Sequence, residues 1–133
     1  MAARKPSGGP DERVKRALTG VRSAVSRLVG FLGDDDPEVV ERAAVALEEV
    51  GEFAVGPLAA ALCHAPSADH RAVVVAALTA LAPGAEVPVL RALARAAKLD
   101  PDPFVKAAAG QAYSSLLVAG IGRGATAARG SAD

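Results

Sequence analysis

The chain has 133 residues, 51% of them hydrophobic and 23% charged, which is enough for one globular domain with a single core. Fifteen basic residues balance fifteen acidic ones, so the whole molecule has no net charge that would attract nucleic acid or an anionic membrane. One cysteine excludes an internal disulfide and a multi-cysteine metal site, and a reducing compartment suits it, so we expect a cytoplasmic protein.

Both ends of the chain are predicted to be flexible tails. Residues 1–10 and 120–133 are rich in Gly, Ala, Ser and Pro, and they have too few large apolar residues to offset the entropy lost on ordering. The first ten residues have no apolar run that would make a secretory signal, and the longest uncharged stretch, residues 107–122, is too short and polar to span a bilayer. We therefore predict one domain over residues 11–119 and no membrane partner.

The first predicted element is a long amphipathic helix, or two helices broken at Gly20. Its apolar residues recur at steps of three and four, so they lie on one side of a helix, which we expect to face the core. This stripe consists of Val14, Leu18, Val21, Val25, Leu28 and Leu32.

The next helix has a start signal and a stop signal in the sequence. Asp36 is an N-cap residue, Pro37 occupies the first helical position, and Gly51 ends the helix. The same pattern returns from Ser67, 31 residues after Asp36, and again from Asp102, 35 residues after Ser67, and spacings of this size are typical of stacked supersecondary units.

The helices between these segments also match one another. Their apolar residues align in three sets, which predicts three helix pairs. The aligned sets are Val25, Leu28 and Leu32; Val55, Leu58 and Leu62; and Val87, Leu90 and Ala94.

Residues 36–39, Asp-Pro-Glu-Val, followed by Arg-Ala-Ala-Val-Ala-Leu at residues 42–47 and by Val-Gly at residues 50–51, resemble the second helix of a HEAT repeat of the short bacterial type. The resemblance covers residues 21–118. It implies an all-α, right-handed α-solenoid of about three antiparallel helix pairs, with the second helices lining a concave binding surface. It also implies an Asp–Arg ladder between units, in which a basic residue follows the first valine. Arg71 and Lys106 fit that position, whereas Val40 does not.

This resemblance predicts a protein-interaction module, a scaffold or assembly subunit, that binds a partner through the second helices. Their predicted outward face is acidic at one end and lined by small side chains elsewhere, and contiguous small apolar surface favours a binding use. The alternative is that alanine is there as a good helix former. The predicted partner-binding residues are Glu41, Val45, Glu48, Glu49, Glu52, Ala72, Ala76, Thr79, Gln111 and Ser114.

The alternative function is nucleic-acid or anionic-surface binding through the basic first helix. We favour it less, because no aromatic residue precedes Phe31 to stack on bases and because the apolar stripe is assigned to the core. Self-association is also possible, since residues 1–32 have a net charge of +5 and residues 33–52 of −7. The basic residues of that helix are Arg13, Lys15, Arg16, Arg22 and Arg27.

Two further groups of residues are not expected to form sites. Arg91, Arg95 and Lys98 follow one side of a helix and are interpreted as a solvated ridge. Cys63, His64, Asp69 and His70 are the only cluster with ligand or nucleophile character, but adjacent helical residues point about 100° apart and a loop separates the pairs. We therefore predict no metal site, no cofactor, no catalytic residues and no enzymatic activity.

Overall fold

The computed structural model describes the backbone of residues 9–132 and the side chains of residues 9–120. This part of the chain is helical and has no strand, which confirms the all-α prediction. The predicted tail of residues 1–10 lies outside the described residues except for Gly9 and Pro10, and that of residues 120–133 lies beyond the described side chains after Gly120. The elements are α1 (Pro10–Phe31), α2 (Pro37–Val50), a 3-10 helix (Gly51–Ala54), α3 (Val55–His64), α4 (Ala68–Ala80), α5 (Glu86–Leu99) and α6 (Pro103–Ala132).

The predicted boundary signals operate as expected at three helices. The Asp36 carboxylate accepts a hydrogen bond from the backbone N–H of Glu38 at 3.0 Å, and Gly51 ends α2 with a positive φ of 75°. The Ser67 hydroxyl caps α4, and the Asp102 carboxylate accepts from the third residue after it at 3.0 Å. The first element was predicted to be either one helix or two helices broken at Gly20. The structure shows one helix, because α1 continues through Gly20.

Helix contacts follow the order of the chain. Each of α1, α3 and α5 contacts the helix that follows it, which gives the pairs α1–α2, α3–α4 and α5–α6. The first helices also contact one another in sequence, α1 with α3 and α3 with α5, and the second helices do the same, α2 with α4 and α4 with α6. We call α1, α3 and α5 the first-helix layer. The largest fully buried side chains are Leu32, Leu47, Leu58, Leu78, Leu93, Val74, Val89 and Val105.

The predicted register of α5 is wrong. Val87 is 64% exposed and Ala94 is exposed, whereas Val89 and Leu93 are fully buried. The predicted alignment of α3 with α5 was shifted by one residue. Pro57 and Pro88 are each the third residue of their helix, and when they are aligned, Leu58 corresponds to Val89 rather than to Leu90.

The prediction that the α1 stripe faces the core holds for its C-terminal half alone. Val25 and Leu32 are buried, but Val14, Leu18 and Val21 are 59%, 40% and 49% exposed. Every residue from 10 to 24 is exposed, so the N-terminal half of α1 lies at the surface with its apolar side uncovered by the described part of the chain.

Candidate interaction surfaces

A buried ion pair links α4 to the loop before α6. Arg71 donates from Nε to Asp100 Oδ2 at 2.9 Å and from Nη2 to Oδ1 at 3.1 Å, and its Nη1 donates to the Ala65 carbonyl at 2.8 Å. Arg71 and Asp100 are 8% and 7% exposed, and Asp100 Oδ1 also accepts from the backbone N–H of Asp102 at 2.9 Å. This bidentate pair holds the second and third helix pairs together.

Charge and hydrogen bonds keep the pair ionised. Burial alone would raise the pKa of Asp100, but the hydrogen bonds from Arg71 and from the Asp102 N–H, with the positive charges of Arg71 and Lys106, lower the pKa below its ordinary value. The hydrogen bond with Asp100 likewise raises the pKa of Arg71 despite burial.

A histidine links the first two helix pairs. His70 Nε2 donates to the Val29 carbonyl at 2.9 Å, and the imidazole lies against Gly33, where an added Cβ would be 2.7 Å from Nδ1. Val40 and Ala65 stand at the positions that correspond to Arg71 and Asp100, so this junction lacks the ion pair. His70 therefore has a structural contact that the sequence did not indicate.

The predicted partner-binding residues are mostly at the surface. Eight are exposed, and Ala72 and Thr79 are half-buried, the Thr79 hydroxyl donating to the Val75 carbonyl at 2.7 Å. Glu48 and Glu52 line a depression of about 490 Å³ with Ala80 and Leu81, between the C-terminal ends of α2 and α4. The exposed members are Glu41, Val45, Glu48, Glu49, Glu52, Ala76, Gln111 and Ser114.

A larger depression lies on the other layer and was not predicted. We call it the α3–α5 groove; its volume is about 800 Å³. The small residues Gly56, Ala60 and Ala92 lie along it, and Phe53, 69% exposed, also lines it. The full lining is Glu52, Phe53, Val55, Gly56, Ala59, Ala60, Cys63, Gly84, Ala85, Pro88, Arg91, Ala92 and Arg95.

Two arginines form one wall of the α3–α5 groove. Arg91 and Arg95 are exposed and lie one turn apart on α5, and among residues 9–120 neither forms a salt bridge. Their charges face a concave surface and are not neutralised within the described chain. From the sequence, Arg91 and Arg95 were interpreted as part of a solvated ridge. Their spacing of one helical turn, together with the run of small residues in α3, was the signal that could have indicated a groove.

The five predicted basic residues of α1 are all exposed: Arg13, Lys15, Arg16, Arg22 and Arg27. The first-helix layer as a whole contains eight basic and three acidic residues, whereas α2 contains four acidic residues and one arginine. The balanced total charge therefore conceals a basic first-helix layer and an acidic α2, and the fold brings the basic residues of α1 and α5 into the same layer.

The cysteine and histidine cluster is dispersed. Cys63 is exposed and lines the α3–α5 groove, while His70 is engaged with Val29. In the part of the chain with described side chains, no three His, Cys, Asp or Glu residues are placed to hold a metal ion.

Comparisons with protein families, with curated proteins and with solved structures find no match to this chain. The described helices include none whose length and apolar character would let it cross a membrane.

Proposed function

We propose that the chain is a protein-interaction module whose helix pairs stack as a right-handed, HEAT-like α-solenoid, and that the α3–α5 groove receives an acidic amphipathic helix of a partner. The observation that carries the proposal is the groove itself, an open apolar concavity of about 800 Å³ beside two arginines that form no salt bridge among residues 9–120. Its volume is in the range of clefts that bury most of a drug-sized ligand, which is a size comparable to a few side chains.

The floor of the groove favours a helix as the occupant. Gly56 has no side chain and those of Ala60 and Ala92 are single methyl groups, so another backbone can approach closely. Apolar side chains of that backbone, spaced by one turn, can fill the space between α3 and α5. Phe53 adds an exposed aromatic ring at one end, the kind of residue that anchors protein interfaces.

The wall of the groove favours acidic residues on that helix. A carboxylate that approaches Arg91 or Arg95 can form a charge-assisted, bidentate hydrogen bond, whereas a basic partner would be repelled. The predicted second-helix surface is the second candidate, because Glu48 and Glu52 form its acidic depression and Glu52 also lines the groove.

A matched pair of substitutions separates the two surfaces. Ala60 on α3 and Ala76 on α4 are both exposed, so Ala60→Glu and Ala76→Glu introduce the same charge on opposite layers without filling the core. Tagged full-length chain and each variant are used to capture partners from a lysate, with mass spectrometry as the readout and circular dichroism to confirm folding.

We expect Ala60→Glu and Arg91→Glu/Arg95→Glu to reduce the same captured protein at least about tenfold, and Ala76→Glu to leave it unchanged. Loss with Ala76→Glu or with Glu41→Lys/Glu48→Lys instead would assign binding to the second helices. Capture unaffected by all these variants would overturn the interaction module at both surfaces.

A further inference from the structure

The N-terminal half of α1 has an apolar side that the described chain leaves uncovered. Val14, Leu18 and Val21 continue the line of Val25 and Leu32, yet they are 40% or more exposed while the latter two are buried. Three aliphatic side chains in a row on a solvated helix are unusual without a covering surface, because such a helix gains little from packing.

The exposed stripe is continuous with an aromatic side chain from another element. Leu18 and Val21 line a depression of about 310 Å³ together with Phe53 and Pro57, so the apolar surface extends from α1 across to the 3-10 helix and α3. The surface is thus wider than a single helix stripe.

Basic residues flank this stripe. With about 100° between successive residues, Arg13 and Lys15 lie on opposite sides of Val14, and Arg22 lies on the Lys15 side and lines the depression with Leu18. The acids Asp11 and Glu12 are confined to the first turn, where they suit the positive end of the helix dipole. An apolar stripe with basic borders is the pattern of a helix that lies in the plane of an anionic bilayer.

We propose that the α1 stripe, with Phe53, adsorbs to anionic lipid surfaces, its aliphatic side chains entering the acyl boundary while Arg13, Lys15 and Arg22 contact the headgroups. The sequence-based expectation of no membrane partner rested on the lack of a membrane-spanning stretch, and anionic-surface binding was disfavoured because the whole stripe was assigned to the core. The exposure of Val14, Leu18 and Val21 removes the second of these reasons. The inference does not depend on the α3–α5 groove binding a protein.

Other occupants fit the charges less well. A second copy that docks through the same stripe would bring two basic borders together, and insertion of α1 into a second copy's groove would meet Arg91 and Arg95. The phosphates of a nucleic acid could bind the basic residues, but the aliphatic side chains would remain exposed to water.

The test is flotation of the full chain with vesicles of phosphatidylcholine alone and of phosphatidylcholine with 30% phosphatidylglycerol. We expect binding to the anionic vesicles to exceed that to the neutral ones by about tenfold or more. Leu18→Ser/Val21→Ser, which alters exposed side chains, should lower that binding about tenfold, and Arg13→Ala/Lys15→Ala/Arg22→Ala should do the same.

The control is Leu117→Ser/Val118→Ser, which likewise removes one leucine and one valine, 39% and 70% exposed, but from α6. Its vesicle binding should equal that of the parent chain. Equal binding by the Leu18→Ser/Val21→Ser variant would overturn the proposal, as would absence of binding to the anionic vesicles. A doubled mass in light scattering that the same variant abolishes would assign the stripe to a second copy instead.

Discussion

The ring of His70 occupies the space that a side chain at residue 33 would need. Gly33→Ala should therefore push the imidazole away from the Val29 carbonyl and lower the free energy of unfolding by about 1–3 kcal/mol. In a His70→Ala background the added methyl group has room, so the same substitution should cost almost nothing. Urea unfolding of the four proteins measures this coupling.

Gly30→Ala is the control for this cycle, because a Cβ at Gly30 meets nothing within 4 Å and helix propensity favours alanine. It should be neutral or stabilising by up to about 1 kcal/mol. An equal cost of Gly33→Ala with and without the imidazole would contradict the proposed clash.

The ion pair of Arg71 and Asp100 should be costly to break but easy to replace. Asp100→Ala leaves a buried guanidinium without its counter-ion, for which we expect a loss of about 3–5 kcal/mol. Arg71→Met/Asp100→Leu removes both charges and should lie within about 1–2 kcal/mol of the parent chain. Urea unfolding at pH 7 compares them; a double variant as unstable as Asp100→Ala would contradict this account.

The same pair should make the chain sensitive to acid. Since the pKa of Asp100 is lowered by folding, its stabilisation is complete well above the unfolded-state pKa of about 3.9 and is lost as the pH falls through the lower folded-state value. The urea midpoint should therefore drop more between pH 6 and pH 2 for the parent than for Arg71→Met/Asp100→Leu. Parallel curves would show that Asp100 contributes no acid sensitivity.

At the scale of the element, the register of α5 can be tested by truncating its side chains. Leu93 is fully buried, so Leu93→Ala should cost about 2–5 kcal/mol, whereas Val87→Ala removes an exposed side chain and should change stability by no more than about 0.5 kcal/mol. Leu90, which is half-buried, should fall between them. Thermal unfolding of the three variants would reveal the opposite order if Val87 faced the core.

Features that depend on residues close together in the sequence were predicted correctly, whereas features that depend on distant residues were not. Caps at Asp36 and Ser67 depend on neighbouring residues and could be read from the sequence, as could the helical spacing of apolar residues. Periodicity alone did not determine which stripe of α5 is buried, because alanine and valine occur on several sides of the helix. The position of Pro88 in the first turn was the feature that indicated the correct alignment. The exposure of Val14 could not be predicted, because the helical pattern does not state whether a neighbour exists to cover it.

The interaction surfaces belong to the whole molecule and were the least accessible to sequence reasoning. The α3–α5 groove joins residues about 30 positions apart, so the sequence shows Arg91 and Arg95 on one side of a helix but not the concave surface beside them. The acidic end at Glu48 and Glu52 was visible because it lies in one segment. Local charge runs were thus detectable, whereas surfaces assembled from two helix pairs required the contacts between pairs.

If the helix pairs form a linear stack, damage at one junction should be felt most by the pairs beside it. The stability of a repeat array is approximately a sum of contributions from each unit and from each interface between neighbours. His70 connects the first and second helix pairs, and Arg71 connects the second and third. Gly33→Ala should therefore lower amide hydrogen-exchange protection more in α1 and α2 than in α5, whereas Asp100→Ala should lower it more in α5 than in α1. Equal loss of protection in all helices for both variants would contradict the stack, because it would mean that the described chain unfolds as one cooperative unit whatever junction is weakened.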